Sequence, residues 1–237
     1  MLEVFAAFSK AARDLVRAEI LWLAIWPMLV ALALWGFVGS LVWGSALGLI
    51  SDVLPNLQGE IWSWLAHWAA VFLLLAAFAS LVYATALLLV AVIGLPRMLT
   101  LVAARDYPDV VRHGENPFWR SLGNTLAATG IFVVGWLLTL PLLLIPGAIL
   151  VLPVAWTSWF NQRTFRVDAL VEHATGGELR TIIGRWRPRF YFAGFGTAVT
   201  AHVPFVNLLA PAYTALVFVH LALSSLRALR REGGVEL

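Results

Sequence analysis

The chain has 237 residues, of which 61% are apolar and only 12% charged, with a formal charge of +3 and a mean hydropathy of +0.86. That balance excludes an ordinary soluble domain, in which about a quarter of the residues are charged. The lack of cysteine excludes disulfides, thiolate metal sites and cysteine nucleophiles. Four runs without Asp, Glu, Lys or Arg cover residues 20–51, 61–96, 121–162 and 190–226, with lengths of 32, 36, 42 and 37. Each exceeds the roughly 20 residues that cross a bilayer as helix. The sequence is that of a multi-pass integral membrane protein, read as one membrane domain over 1–237.

Residues 1–19 place Lys10, Arg13, Asp14 and Arg17 on one helical face and Leu2, Phe5, Phe8, Ala12 and Leu15 on the other. Such a segment is an interfacial amphipathic helix feeding the first span, or an entry site where Arg13 and Arg17 collect anions. The apolar run behind it is too long for a signal-peptide core and has no clear small-residue cleavage site, so it reads as retained. Runs 20–51 and 61–96 are two long spanning helices. The connector between them, "DVLPNLQGE" at 52–60, is the one without a basic residue. The 16 Lys and Arg side chains precede the first run, fill 97–120 and 163–189, or follow residue 226. By the positive-inside rule, those segments and both termini are cytoplasmic, and "DVLPNLQGE" is outside; the membrane expected is the inner (plasma) membrane. Trp43, Trp62, Trp64 and Trp68 flank the outer connector, while Trp22, Trp26, Trp119, Trp156, Trp159 and Trp186 lie near the basic side. This is the placement of interfacial belts, unless the rings pack in a core.

The third and fourth runs, 121–162 and 190–226, each begin and end on the basic side and are therefore helical hairpins. The third breaks at "IPG", Ile145 to Gly147, and is disturbed by Pro141 and Pro153. The fourth breaks at "HVPFVNLLAP", residues 202–211, leaving short arms that reach roughly 20 Å at 1.5 Å per residue. That falls short of a hydrocarbon core of about 30 Å. A proline-broken turn inside the bilayer persists only where protein or a water-lined cavity satisfies its backbone, so both partly penetrating hairpins should face inward. Pro204 suits a first helical position, Asn207 caps or bonds across the turn, and Pro211 suits the first turn of the outgoing arm. The tip is either structural or a helix N-terminus aimed at an anion.

Between the hairpins, Arg163, Arg166, Arg185, Arg187 and Arg189 either anchor headgroups and pair with local acids or form an oxyanion vestibule, since guanidinium holds tetrahedral anions bidentately. Here "TGG", residues 175–177, reads as the glycine end of a helix. His67, His202 and His220 lie at membrane depth without the spacing of paired metal ligands, as neutral side chains bonded to backbone. For His202 a proton relay is the alternative. No phosphate-binding loop, HExxH, GxSxG or dinucleotide fingerprint is present. The reading is of a non-enzyme with no cofactor, no metal and no nucleic-acid partner.

Two stretches, "LLLIPGAILVLPVAWTSWFNQRTFRVDALVEHA" and "AHVPFVNLLAPAYTAL", with "AVIGLPRMLTLVAARDYP" before them, resemble the etoposide-induced-protein family that includes the bacterial CysZ-type sulfate permeases. Pro204, Asn207 and Pro211 carry the most specific part of the likeness. The resemblance implies an all-α fold of two long transmembrane helices plus two partly penetrating hairpins, assembled as a homo-oligomer that admits sulfate to the cytoplasm. In that family a glycine and paired arginines open the first span and bind sulfate, whereas this chain reads "VRAEILWL" there, leaving Arg13 and Arg17 as the nearest cations. The function expected is a permease or channel for a small inorganic oxyanion such as sulfate. The alternative is a non-transporting membrane scaffold or bilayer-shaping protein of the same family.

Overall fold

A computed structural model describes residues 2–53, 60–114, 117–203, 206 and 209–233. Every regular element among them is helical. In chain order they are α1 (Leu2–Leu15), α2 (Ala18–Val53), α3 (Glu60–Leu89), a π-helical turn (Val90–Gly94), α4 (Leu95–Asp106), α5 (Pro117–Thr139), a 3-10 turn (Leu140–Leu144), α6 (Ala148–Asp168), α7 (Gly176–Arg185), α8 (Arg187–Ala201) and α9 (Ala210–Glu232). The chain divides into two compact units, one formed by Met1–Leu21 and Gly94–Leu237 and the other by Trp22–Ile93.

The second unit is the pair α2 and α3. Their apolar residues lie all round each helix, as suits a lipid surround, and Phe37, Leu41, Trp64 and Phe72 are exposed. The helices meet where Trp35 Nε1 donates to Thr85 Oγ1 at 2.9 Å. Phe78 fits between Trp35 and Trp43, with ring centroids 6.3 and 6.2 Å away, and a Cβ on Gly39 would stand 3.3 Å from its ring. The π-helical turn directly precedes α4, which carries Pro96 in its first turn. Proline has no N–H for the carbonyl four residues back and its ring collides with that carbonyl, so widening the turn relieves both problems.

The first unit is built on α9. Alone among the helices, it packs against α1, α4, α6, α7 and α8. Phe218 of α9 stacks between Phe165 of α6 and Phe190 of α8, at 5.9 and 6.3 Å. Helix α1 turns Val4, Ala7, Ala11 and Asp14 inward, an i, i+3, i+4 stripe that fits a helix face.

The α5–α6 hairpin closes as its prolines dictate. Pro141 stands in the 3-10 turn after α5, Ile145 is extended (ψ 125°) ahead of Pro146, and pre-proline sterics favour that conformation. Gly147 then takes φ 87°, where a side chain would be strained. Trp156 lies where a Cβ on Gly135 would be, 1.9 Å from the ring, and donates to Thr139 Oγ1 at 3.0 Å.

Among the described residues, three helical segments are long and apolar enough to cross a membrane: Ala18–Leu49, Pro117–Leu142 and Ala210–Glu232. Their surroundings differ. Only 6% of the apolar window in Pro117–Leu142 is buried inside the protein, against 72% in Ala210–Glu232. The apolar character of α9 therefore serves the protein core, while that of α5 faces outward through Leu126, Val134, Leu137 and Leu138.

One local expectation is corrected. "TGG" opens a helix and does not close one. Helix α6 has already ended at Asp168, and Thr175 caps α7 by accepting from the Glu178 N–H while Glu178 accepts from the Thr175 N–H. This reciprocal capping box satisfies two N–H groups that a left-handed glycine could not.

Candidate functional site

The basic end of the first unit gathers most of the polar chemistry. Asp14, at the inward corner of α1, is fully buried. It accepts from His220 Nε2 at 3.0 Å and forms an ion pair with the Arg17 guanidinium at 3.1 Å, while Arg13 Nε stands 3.7 Å away. The Tyr107 hydroxyl lies 3.2 Å from both His220 Nδ1 and the His220 carbonyl. Two cations lie over the phenol ring, Lys10 at 5.5 Å and Arg227 at 4.6 Å from its centre. Burial, opposed by Arg227, raises the Tyr107 pKa to about 12, so the phenol stays neutral at physiological pH. Beside this cluster a cavity of about 550 Å³ is lined by Arg17, Glu19, Leu101, Val102 and Arg105 among others.

Asp14, Asp106 and His220 hold three ligand atoms within 4.8 Å of one another. Arg17 and Arg13 lie within ion-pair distance of these carboxylates, while Asp14 Oδ1 and Asp106 Oδ2 are buried with no hydrogen-bond partner among the described residues.

The second arginine set divides in two. Arg185 pairs with Glu232 and Arg189 with Glu3, and both flank the buried Trp186 ring. Arg187 lies over Tyr191 at 5.6 Å. Arg166 is only 6% exposed, and the Nε atoms of Arg163 and Arg166 are buried without a partner. Burial, reinforced by Arg163, lowers the Arg166 pKa to about 10, which leaves it charged at neutral pH.

Asp168, two residues from Arg166, turns instead to α5, where Ser121 Oγ donates to it at 2.5 Å. Asn124 Nδ2 donates to the Arg163 carbonyl at 3.1 Å and seals the same seam. Burial, opposed by the Ser121 hydrogen bond, raises the Asp168 pKa from 3.8 to about 6. The folded carboxyl holds its proton more tightly than the unfolded one, so this group favours folding below about pH 4 and withdraws that support as pH rises to about 6. Asp168→Asn keeps the shape and removes the buried charge. It is expected to stabilise the protein by about 1–2 kcal/mol at pH 7.5 and to match the parent near pH 4. Thermal melts at the two pH values check this, and an Asn variant that is less stable at pH 7.5 contradicts it.

A third cluster was not visible in the sequence. Arg230, 2% exposed, donates to Glu178 Oε1 at 2.8 Å, to the Val111 carbonyl at 2.9 Å and to the His173 carbonyl at 2.8 Å, with His113 Nδ1 at 3.0 Å. His173 is held neutral: burial first, then Arg112 and Arg230, lower its pKa to about 4.

Of the residues singled out from sequence, Arg13 and Arg17 come together on Asp14, while Arg163, Arg166 and Arg187 gather at the α6–α8 seam. Arg185 and Arg189 are committed to acids. Pro211 stands in the first turn of α9. Pro204 and Asn207 lie outside the described residues. His202 is exposed, with Nδ1 2.7 Å from the Ala198 carbonyl. His220 is the histidine that meets a carboxylate, and their separation of 206 positions hid the pair from any search for local spacing.

Searches of curated proteins and of solved structures return no significant match to the chain. The family model described as "Sulfate transporter CysZ/Etoposide-induced protein 2.4" matches residues 7–211. That span covers most of the chain, from within α1 to the start of α9, and includes Arg13, Arg17 and the α6–α8 arginines. The chain therefore belongs to the Sulfate transporter CysZ/Etoposide-induced protein 2.4 family.

Proposed function

We propose that the protein is a permease or channel for a small inorganic oxyanion, with sulfate the first candidate, and that it works as a homo-oligomer in the inner membrane. In this reading α2 and α3 span the bilayer, the hairpins α5–α6 and α8–α9 enter it partway, and both termini are cytoplasmic. The observation that supports the reading, alongside the family, is the cavity at the start of α2, whose lining includes Arg17 and Arg105. Arg17 already leans on Asp14. An arriving anion exchanges with that carboxylate and meets no bare guanidinium, which keeps the contact weak enough to release, as conduction requires. Asn207 and the Pro204–Pro211 tip stand on the same path in this proposal.

Non-transporting scaffolding is the second reading. The same Asp14–Arg17 pair supports it, because an arginine held by a buried carboxylate is also what a purely structural corner uses. Sulfate uptake into proteoliposomes separates the two. The permease reading expects uptake above empty vesicles that falls about tenfold, equivalent to about 1.4 kcal/mol of transition-state stabilisation, in Arg17→Gln, with a comparable fall in Asn207→Leu. Correctly assembled protein that gives no uptake of sulfate or of other small anions leaves the scaffold.

A further inference from the structure

Among the described residues, two of the buried charges are opposed by a partner of the other sign. Asp14 has Arg17 and His220, and Arg230 has Glu178. Arg166 is 94% buried and has no acid partner among the described residues. The groups that act on it electrostatically are Arg163, Arg187 and Tyr191, two of them cations. Asp168, the nearest acid along the helix, is engaged by Ser121 on the α5 side. A guanidinium does not shed its proton at neutral pH, and an unpaired buried cation is among the least favourable groups a fold can hold.

The neighbouring side chains are those that would complete an anion site. Gln162 and Arg166 stand one turn apart on α6, and Arg187 and Tyr191 one turn apart on α8, spacings that place each pair on one helix face. Gln162 is 1% exposed and its Oε1 has no partner. Its amide orientation is interchangeable, so the NH2 group can occupy that position as a donor. Arg163 Nε is likewise buried and unused. The two helices approach closely enough here that a Cβ on Gly194 would lie 3.0 Å from Gln162 Cβ.

We propose that Arg166, with Arg163 and Arg187, binds a tetrahedral oxyanion at the α6–α8 seam, supplied either as a free ion or as the phosphate of an anionic lipid headgroup. Guanidinium forks match such oxygens two at a time. The seam lies on the basic side of the hairpins, within reach of both headgroups and cytoplasmic anions. It uses none of the residues that line the Arg17 cavity. The site stands whether or not the protein transports, because the buried charge needs a counter-ion either way.

Binding, not uptake, provides the test. The full chain is melted in a nonionic detergent with sodium sulfate against sodium chloride at equal ionic strength. It is then melted in phosphatidylcholine nanodiscs with and without phosphatidic acid. Sulfate or phosphatidic acid is expected to raise the melting temperature of the parent and of Arg180→Gln, whose exposed side chain sits on α7, but not that of Arg166→Gln. A rise confined to the nanodisc arm identifies a lipid phosphate, and a rise with sulfate identifies a free oxyanion. Should Arg166→Gln fail to fold, Arg187→Gln, altered at the exposed side of the site, is expected to weaken the apparent Kd tenfold or more. The proposal is overturned if neither anion stabilises the parent, or if the arginine variants respond as the parent does.

Discussion

Arg230→Ala is expected to destabilise the protein by about 3–5 kcal/mol, the range for breaking one side of a buried ion pair. The loss comes less from the vanished attraction than from what is left behind. Glu178 keeps a carboxylate with no cation, and the Val111 and His173 carbonyls lose their donor. Burial acts against the charged form of Glu178, yet its hydrogen bonds from Arg230 and Thr175 hold its pKa below the ordinary value. Its stabilising contribution is therefore present above the unfolded pKa and fades as pH falls through the folded one. Thermal melts should show a drop on the order of 10 °C at pH 7 for a chain of this size, narrowing in acid. Arg230→Lys should recover little, because an ammonium cannot reproduce the planar fork. A parent-like melt for Arg230→Ala would show that the network is incidental.

Gly194→Leu is expected to prevent α6 and α8 from docking. A Cβ alone would stand 2.6 Å from the Ser158 carbonyl oxygen and 3.0 Å from Gln162 Cβ. The first neighbour is backbone, so neither can rotate away, and overpacking of this kind costs about 1–3 kcal/mol before the rest of the leucine is counted. Gly184→Ala is the matched control. Nothing lies within 4 Å of that position, and alanine there, in the last turn of α7, should leave stability unchanged or raise it by less than about 1 kcal/mol. Size-exclusion profiles and melting temperatures distinguish the two, and a monodisperse, parent-like Gly194→Leu protein refutes the tight seam.

Much of the architecture could be read from charge punctuation and proline placement. Arginines mark the ends of the apolar runs, and Pro141, Pro146 and Gly147 mark the tip of α5–α6, because each acts through its own backbone geometry. What could not be read depends on partners far away in the chain. Runs three and four look equally apolar, yet α5 turns its leucines outward while α9 buries nearly all of its face. Hydropathy records apolarity and is blind to whether lipid or protein provides the apolar surroundings. The Asp14–His220–Tyr107 cluster joins α1, α9 and the residue that caps α4, each more than 90 positions from the next, so no local spacing betrays it. The reversal at "TGG" has a local cause. Thr175 and Glu178 spell a capping box, and that signal outweighs glycine's preference for helix ends.

The central position of α9 also bears on biosynthesis. It leaves the ribosome after every helix it packs against, since synthesis runs from the amino end. Until then Asp14 lacks His220, Tyr107 lacks both its acceptor and Arg227, and Glu178 lacks Arg230. The earlier helices must wait at the membrane with polar corners still hydrated. A ribosome stalled before codon 210 therefore releases a chain in which Asp14, Tyr107 and Glu178 all lack the α9 groups that pair with them, and the buried corners they form are left open.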